Sequence, residues 1–419
     1  MSRVLLTTFG SYGDLHPYLA IGIELQRRGH SVTIATVPAY AGKVTSEGFG
    51  FHPVRPDIAA GDTALMEYFM DRRRGTERVV RFLSSAVRDS YEDTLPAARQ
   101  ADVIVSHPIT AGSVLAAQKL GIPWISSVLA PVSLLSAYDP PVPAPAPWII
   151  KARALGPGFM NLFWRLGKYN ASKWVRPIVA LRRELDLPDT GNPIFEGSHS
   201  PRLVLALFSR YMADPQPDWP AHTVVTGFPF FDRDHAPEET PPELERFLSE
   251  GPAPIVFTLG SSAIFAAGDF YRESLKAVER MGVRAVFLTG PGIQGLPERL
   301  PPGIMTARYV PHSEIFPRAS AIVHQGGVGT MAQAMRSGRP MLVVPFAHDQ
   351  FDNAERARRL GVAQVVYRSR YNAASAEKAL RGLAKCEAPA ALLGDKVRAE
   401  NGAATAAGAI VAQIPGLGS

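Results

Sequence analysis

Cysteine is almost absent: Cys386 stands alone in 419 residues. No internal disulfide can form, so the core must hold by packing, and such a chain suits a reducing, cytoplasmic compartment. Long apolar runs are absent too. Hydrophobic residues make up 46% of the chain, but no run nears the ~18 residues that a membrane span needs. Residues 1–9 turn into Gly10 too early for a secretory signal and read as a buried first strand. The charge excess is small, 44 Lys and Arg against 38 Asp and Glu, net +6. Clusters such as Arg72-Arg73-Arg74 and Arg356-Ala357-Arg358-Arg359 read as solvated faces. No long basic stripe interleaves with aromatics, which argues against a nucleic-acid partner, while the excess allows weak contact with an anionic membrane surface. Carboxylates are not gathered to hold magnesium against a phosphate, and His312 and His324 fall on separate loops, so neither a magnesium nor a zinc site is expected.

What is present is a βαβ unit with a hole at its centre. The apolar run Ala321–Val323 ends at His324, and Gly326, Gly327, Val328, Gly329 and Thr330 follow. Met331, Ala334 and Met335 share one helical face up to Gly338, and Pro340–Val344 reads as the next strand. Glycines let the backbone approach a ligand closely, and the exposed N–H groups of a helix N-terminus favour an anion. Asp349 and Gln350 follow at once.

The rest of the chain alternates strand-like and helix-like segments. Arg3–Phe9, Ser31–Val37, Asp102–Ser106, Pro123–Val128, Arg202–Phe208 and His222–Thr226 are short apolar runs in the first half. Leu15–Arg28 reads as a helix, with Pro17 near its start and Gly29 at its end. Near-continuous apolar strands separated by helices imply a parallel sheet covered on both faces. A polar, proline-rich stretch then reads as a linker. The alternation restarts with Pro254–Leu259, Val283–Leu288, Ile304–Val310, Ala321–His324, Pro340–Val344 and Val362–Val366. The expected fold class is therefore α/β, with two Rossmann-like domains facing across a cleft. Residues 1–235 form the first domain, 236–253 the linker, 254–400 the second domain, and 401–419 a C-terminal helix that crosses back. Two insertions, 57–100 and a proline-rich, aromatic stretch at 131–190, serve either as helix packing or as the walls of an apolar acceptor pocket.

Six motifs carry a resemblance over nearly the whole chain. They are Gly10-Ser-Tyr-Gly-Asp-Leu-His-Pro17, Thr226-Gly-Phe-Pro229, Leu259-Gly-Ser-Ser262, Tyr309-Val-Pro-His312, His324-Gln-Gly-Gly-Val-Gly-Thr330 and His348-Asp-Gln350. In this order and spacing the chain resembles the GT-B glycosyltransferases of the UDP-glycosyltransferase superfamily. The bacterial branch, with its sterol glucosyltransferase-like, rhamnosyltransferase-like and antibiotic glycosyltransferases, is the nearest in pattern. The resemblance implies an inverting transfer of a hexose, glucose or rhamnose, from a UDP- or dTDP-sugar to a hydroxyl of an apolar small molecule. That acceptor class spans phenols and flavonoids, sterols, macrolides and hydroxy lipids. No cofactor and no metal are expected.

By the same resemblance, His324, Gly326, Gly327, Val328, Gly329 and Thr330 hold the diphosphate. Tyr309, Val310 and His312 border the base, and Asp349 and Gln350 bind sugar hydroxyls. Ser261 and Ser11 reach toward phosphate from opposite sides of the cleft. Plant members carry a Glu where this chain has Ala332, followed by Gln333, so the donor nucleotide stays open.

An inverting transfer needs a general base beside the acceptor hydroxyl. Plant relatives place a His three residues before the proline equivalent to Pro17, and here that position is Asp14. Asp14 is the expected base, with His16 as the alternative and His107, after the strand Val103–Ser106, as an assistant. Simpler structural roles exist for each: an N-cap for Asp14 or Asp349, a loop residue for His107. A dinucleotide-dependent oxidoreductase is disfavoured, because no acid ends the second strand. A non-catalytic sugar-nucleotide-binding protein and a sugar-nucleotide epimerase remain as alternatives. Nothing in the sequence chooses between a monomer and a homodimer.

Overall fold

The computed structural model describes residues 1–58, 62–232, 242–290 and 295–414. The strands of the first half are β1 (Arg3–Thr7), β2 (Ser31–Thr36), β3 (Gly50–Pro53), β4 (Val103–Ser106), β5 (Trp124–Val128), β6 (Val204–Ala206) and β7 (Thr223–Val225). They form one parallel sheet in the order β3-β2-β1-β4-β5-β6-β7. The second half contributes β8 (Ile255–Phe257), β9 (Ala285–Leu288), β10 (Ile304–Ala307), β11 (Ala321–His324), β12 (Met341–Val343) and β13 (Ala363–Val365). These form a second parallel sheet, β10-β9-β8-β11-β12-β13. In both sheets the first strand of the half is central, and the winding reverses beside it. That reversal opens a crevice past the strand C-termini, between β1 and β4 in one sheet and between β8 and β11 in the other.

Central strands such as β4 and β5 are buried at every residue, which is why they read as continuous apolar runs. The observed strands are shorter than the apolar runs that announced them, because the run continues into the loop at the crevice. β3 has no such signal: Gly50-Phe51-His52-Pro53 lies at the sheet edge with no fully buried residue. The insertion at 57–100 forms the helices Thr63–Phe69, Gly75–Ser85 and Val87–Ala98. The insertion at 131–190 forms Ile149–Ala152, Gly156–Ala171 and Arg176–Glu184. Within the stretch read as a linker, Pro242–Ser249 is helical and Leu244 is buried in the core of the second half. Residues 233–241 lie outside the described residues.

Two of the contacts that join the halves are a chain crossing and a docked loop. First, the chain returns at residues 400–402 past the Thr226-Gly-Phe-Pro229 turn. A Cβ on Gly402 would sit 2.5 Å from the Gly227 carbonyl oxygen, so only glycine allows this crossing. Beyond it the helix Gly402–Val411 packs against the helix Tyr12–Arg27, burying Ala406, Ala407 and Ile410 in the first half's core. Second, the proline-rich loop docks on the helix Gln350–Arg359. The Arg356 guanidinium pairs with Asp352 at 2.7 Å and with Asp139, and donates to the Met212 carbonyl at 3.0 Å. The Val142 N–H donates to Asp352 at 3.0 Å, and Phe351 packs among Val142, Ile149, Met160 and Trp164.

Candidate active site

The turn after β1 builds one side of the crevice. Gly10 takes φ +131°, and a Cβ there would lie 2.3 Å from the Asp14 carboxylate. Ser11 is the N-cap of the helix Tyr12–Arg27, and Asp14 is its third residue rather than its cap. The two form a capping box: the Gly13 N–H donates to Ser11 Oγ at 3.2 Å, while the Ser11 N–H donates to Asp14 Oδ2 at 2.7 Å. The Ser11 hydroxyl adds a bond to Oδ2 at 3.1 Å, so its reach is spent on Asp14.

His107 follows β4 and brings Nε2 within 3.3 Å of Asp14 Oδ1. Its Nδ1 accepts the Ile109 N–H at 3.4 Å, which assigns the proton of the neutral ring to Nε2, facing the carboxylate. The His107 side chain is 5% exposed and that of Asp14 32%. Asp14 is therefore the member of the pair open to a ligand, and His107 holds it from behind. His16 sits two residues on, about 200° around the helix, where its ring lies between Tyr12 and Phe231 at 5.4 and 5.2 Å.

The facing side is the turn after β11. Gly327 caps the helix Val328–Ser337 and supplies no side-chain acceptor, so the first-turn N–H groups point out of the helix unpaired by a cap. Gly326 takes φ +90°, and a Cβ would meet Val343 at 2.9 Å and the Gln350 carbonyl at 3.1 Å. His324 is fully buried, and its Nδ1 accepts the Gly326 N–H at 3.1 Å. Burial drives its pKa down to about 3, so the ring is neutral, with Nε2 meeting no protein partner. The turn after β8 joins this loop: a Cβ on Gly260 would lie 2.4 Å from the Gln325 amide and 3.2 Å from Thr330 Oγ1, with Ser261 exposed beside it.

Asp349 stands at the N-cap of the helix Gln350–Arg359 but makes no capping bond to the backbone. Its Oδ2 accepts instead from Asn353 Nδ2 at 2.7 Å, and that amide also reaches the Gly326 carbonyl at 2.9 Å. Burial pushes the Asp349 carboxyl up to about 7; the Asn353 hydrogen bond opposes the shift and the charge of Asp14 adds to it. Gln350 Oε1 accepts the N–H groups of Phe346 and Ala347 at 2.8 and 3.1 Å, which pins the loop carrying His348 and Asp349. Farther along, Tyr309 is exposed, Val310 is buried, and His312 stacks on Phe316 at 4.3 Å.

The two sides touch. A Cβ on Gly329 would lie 3.7 Å from Gly13 Cα, so two helix N-termini from different halves abut. His348, at φ +53°, meets Thr76 of the first insertion at 3.3 Å, Nδ1 to Oγ1. The structure thus brings Ser11, Asp14, His107, the 324–330 loop and Asp349 to one crevice and turns His16 elsewhere. Asn353 was not singled out from the sequence, and His348 entered only as part of a motif, with no role of its own. Asn353 follows Asp349 by one helical turn, which is the signal that could have found it.

A small cavity of about 40 Å³ adjoins the Asp14 side. Val54, Val80, Val87, Ile109 and Ile178 give it an apolar wall, and Ser84 Oγ is buried there with no protein partner. Both insertions contribute to that wall. Among the described residues no three or more His, Cys, Asp or Glu gather as a metal site, and no helix is long and apolar enough to cross a membrane.

The two crevice-facing Rossmann-like sheets define a GT-B architecture. It matches the solved glycosyltransferase of kitacinnamycin, with a TM-score of 0.72 over 99% of each chain at 21% identity. It also matches glycosyltransferase VinC in complex with DTDP, with a TM-score of 0.70 over 98% of this chain and 99% of that one at 20% identity. Residues 4–127 match the family model of the glycosyltransferase family 28 N-terminal domain. Residues 286–415 match that of the erythromycin biosynthesis protein CIII-like C-terminal domain. O-mycaminosyltylonolide 6-deoxyallosyltransferase of Streptomyces fradiae is 32% identical over 86% of this chain and 84% of its own length. The sterol 3-beta-glucosyltransferase of Candida albicans is 29% identical over 86% of this chain, and the match spans only 24% of that much longer protein. The chain belongs to the GT-B glycosyltransferase family.

Proposed function

We propose that this protein is an inverting hexosyltransferase, moving glucose or rhamnose from a UDP- or dTDP-sugar to a hydroxyl of an apolar small molecule. The observation that carries the reading is the opposition of the Asp14 carboxylate, braced by Ser11 and His107, to the uncapped glycine turn of the helix Val328–Ser337. Two abutting helix N-termini concentrate positive potential, which favours anions between them. Asp14 supplies one such charge and a donor diphosphate supplies the other.

In this reading the acceptor O–H gives its proton to Asp14. The acceptor oxygen attacks the anomeric carbon from the face away from the diphosphate, forming one C–O bond as the bond to phosphate breaks. The electron pair leaves with the diphosphate, where the N–H groups of Val328, Gly329 and Thr330 and the Thr330 hydroxyl stabilise the developing charge. The orphaned His324 Nε2–H supports a further donor on that side. Asp349, with Asn353 behind it, holds sugar hydroxyls; Tyr309, Val310 and His312 border the base, and Ser261 flanks the phosphates. His107 is a positioning residue, since both of its nitrogens are occupied within the first half. Relatives named for a sterol and for O-mycaminosyltylonolide support an apolar hydroxylated acceptor.

The test is a matrix of UDP-glucose and dTDP-rhamnose against a sterol, a macrolide aglycone and a phenol, read by mass spectrometry with wild type and Asp14→Asn. A glycosylated product lost in Asp14→Asn, with nucleotide affinity retained, is expected. Full turnover by Asp14→Asn overturns the base assignment, and absence of nucleotide binding by the wild type overturns the reading as a whole.

A further inference from the structure

The helix Gly156–Ala171 is apolar on two opposite faces. Met160, Trp164 and Ala171 are buried, as the inward face requires. The outward face should be polar, yet it presents Leu162, Leu166 and Tyr169 at 54%, 57% and 72% exposure, with Leu155 just before the helix at 63%. At about 100° per residue these side chains fall within roughly 60° of arc, on the side away from the buried stripe. Trp148, 54% exposed, stands near the helix and meets Phe163 edge-on at 5.6 Å. Monomer surfaces rarely leave a large apolar stripe uncovered.

The charge around this face is equally unusual. Residues 140–183 hold eight Lys and Arg and no Asp or Glu. The chain as a whole is +6, so everything outside this segment is net −2 and the entire basic excess lies here. Lys151, Arg165, Lys173 and Arg176 are exposed around the stripe. An apolar face rimmed by cations and aromatics fits the headgroup region of an anionic bilayer. Pairing with a second copy would set two such cationic rims against each other, which like-charge repulsion opposes.

We propose that the outward face of the helix Gly156–Ala171 docks on the surface of an anionic lipid bilayer, with Leu155, Leu162, Leu166 and Tyr169 entering the interface and Arg165 and Lys173 meeting the headgroups. The contact is peripheral. Ile178, in the next helix of the same insertion, lines the cavity beside Asp14, so the docked protein presents its acceptor side to the membrane. That last step rests on the transferase reading; the docking itself does not.

The experiment is co-sedimentation of the full chain with phosphatidylcholine vesicles, with and without about one-third phosphatidylglycerol. Wild type should bind the anionic vesicles at least about tenfold more tightly than the neutral ones, and less so as salt rises. Leu162→Ser with Leu166→Ser, and separately Arg165→Glu with Lys173→Glu, should each weaken binding by about tenfold or more. The charge-matched control Lys378→Glu with Lys385→Glu, exposed on the second half, should not. Failure of wild type to bind anionic vesicles overturns the proposal, as does equal loss in the control pair. A dimer in light scattering that the two Leu substitutions dissolve overturns it in favour of self-association. Nucleotide binding measured on the same samples separates failure of docking from failure of the transferase reading.

Discussion

Asp349→Asn should stabilise the protein more at about pH 8 than at about pH 5, while lowering turnover at both. The reasoning starts from the carboxyl itself. In the unfolded chain it ionises near 3.8, and in the folded chain burial keeps it protonated up to about 7. Between those values the folded state binds the extra proton, so stability falls as pH rises through that window and is flat above it. The slope is ~1.4 kcal/mol per pH unit for one group. About two units of the window lie above pH 5, so Asp349 costs ~2.7 kcal/mol more at pH 8 than at pH 5. Asparagine cannot ionise, yet its Oδ1 can still accept from Asn353 Nδ2. The variant should therefore gain roughly 3 °C in melting temperature at pH 8 relative to its gain at pH 5. The assay is thermal unfolding of both proteins at the two pH values without ligand. An equal change at both, or a loss confined to pH 8, refutes the argument. Removing the charge of Asp14, which adds to the shift, should move the falling limb to lower pH in wild-type Asp349.

Four further outcomes follow from the same geometry. Asp14→Asn should lower turnover by on the order of 10²–10⁴-fold with nucleotide affinity near wild type, checked by product formation and calorimetric titration. His107→Ala should lower kcat more than it raises KM, and His107→Gln, which keeps a donor toward Asp14, should recover part of the loss; equal defects in the two would refute a positioning role. His324 is neutral above about 3, so the pH–rate profile between about pH 5 and 8 should keep its shape in His324→Gln even if the rate drops. Arg356→Met leaves Asp352 fully buried without its cation, while Asp139 keeps Arg359 at 2.9 Å, and should cost ~3–5 kcal/mol in chemical denaturation; replacing Arg356 and Asp352 together with apolar residues should recover most of it.

The architecture was legible because parallel strands buried on both faces leave continuous apolar runs, and the runs of β1, β8 and β11 lead into glycine turns at the crevice. Gly10, Gly260 and Gly326 all take positive φ there, and a Cβ at each would collide with a neighbour. β3 was not legible, because a sheet-edge strand of Gly-Phe-His-Pro has no buried face to record. Nor could sequence separate the two roles open to Asp14. It is part of a capping box with Ser11, yet its third hydrogen-bond direction faces His107, 93 positions away.

Local chemistry, then, was fixed by residue order: which turns need glycine, which helix begins without a side-chain cap, where carboxylates and imidazoles fall relative to strand ends. Order along the chain also set the two-domain plan, since each α/β alternation restarts after a polar break. Tertiary structure decided everything that depends on distance between remote positions and on burial. It set Gly13 against Gly329, ran the chain back past Gly227 at Gly402, and locked Asp139 onto Arg356. It also gave Asp349 and His324 their shifted proton affinities, because desolvation belongs to the packed neighbourhood of a group and not to its place in the chain.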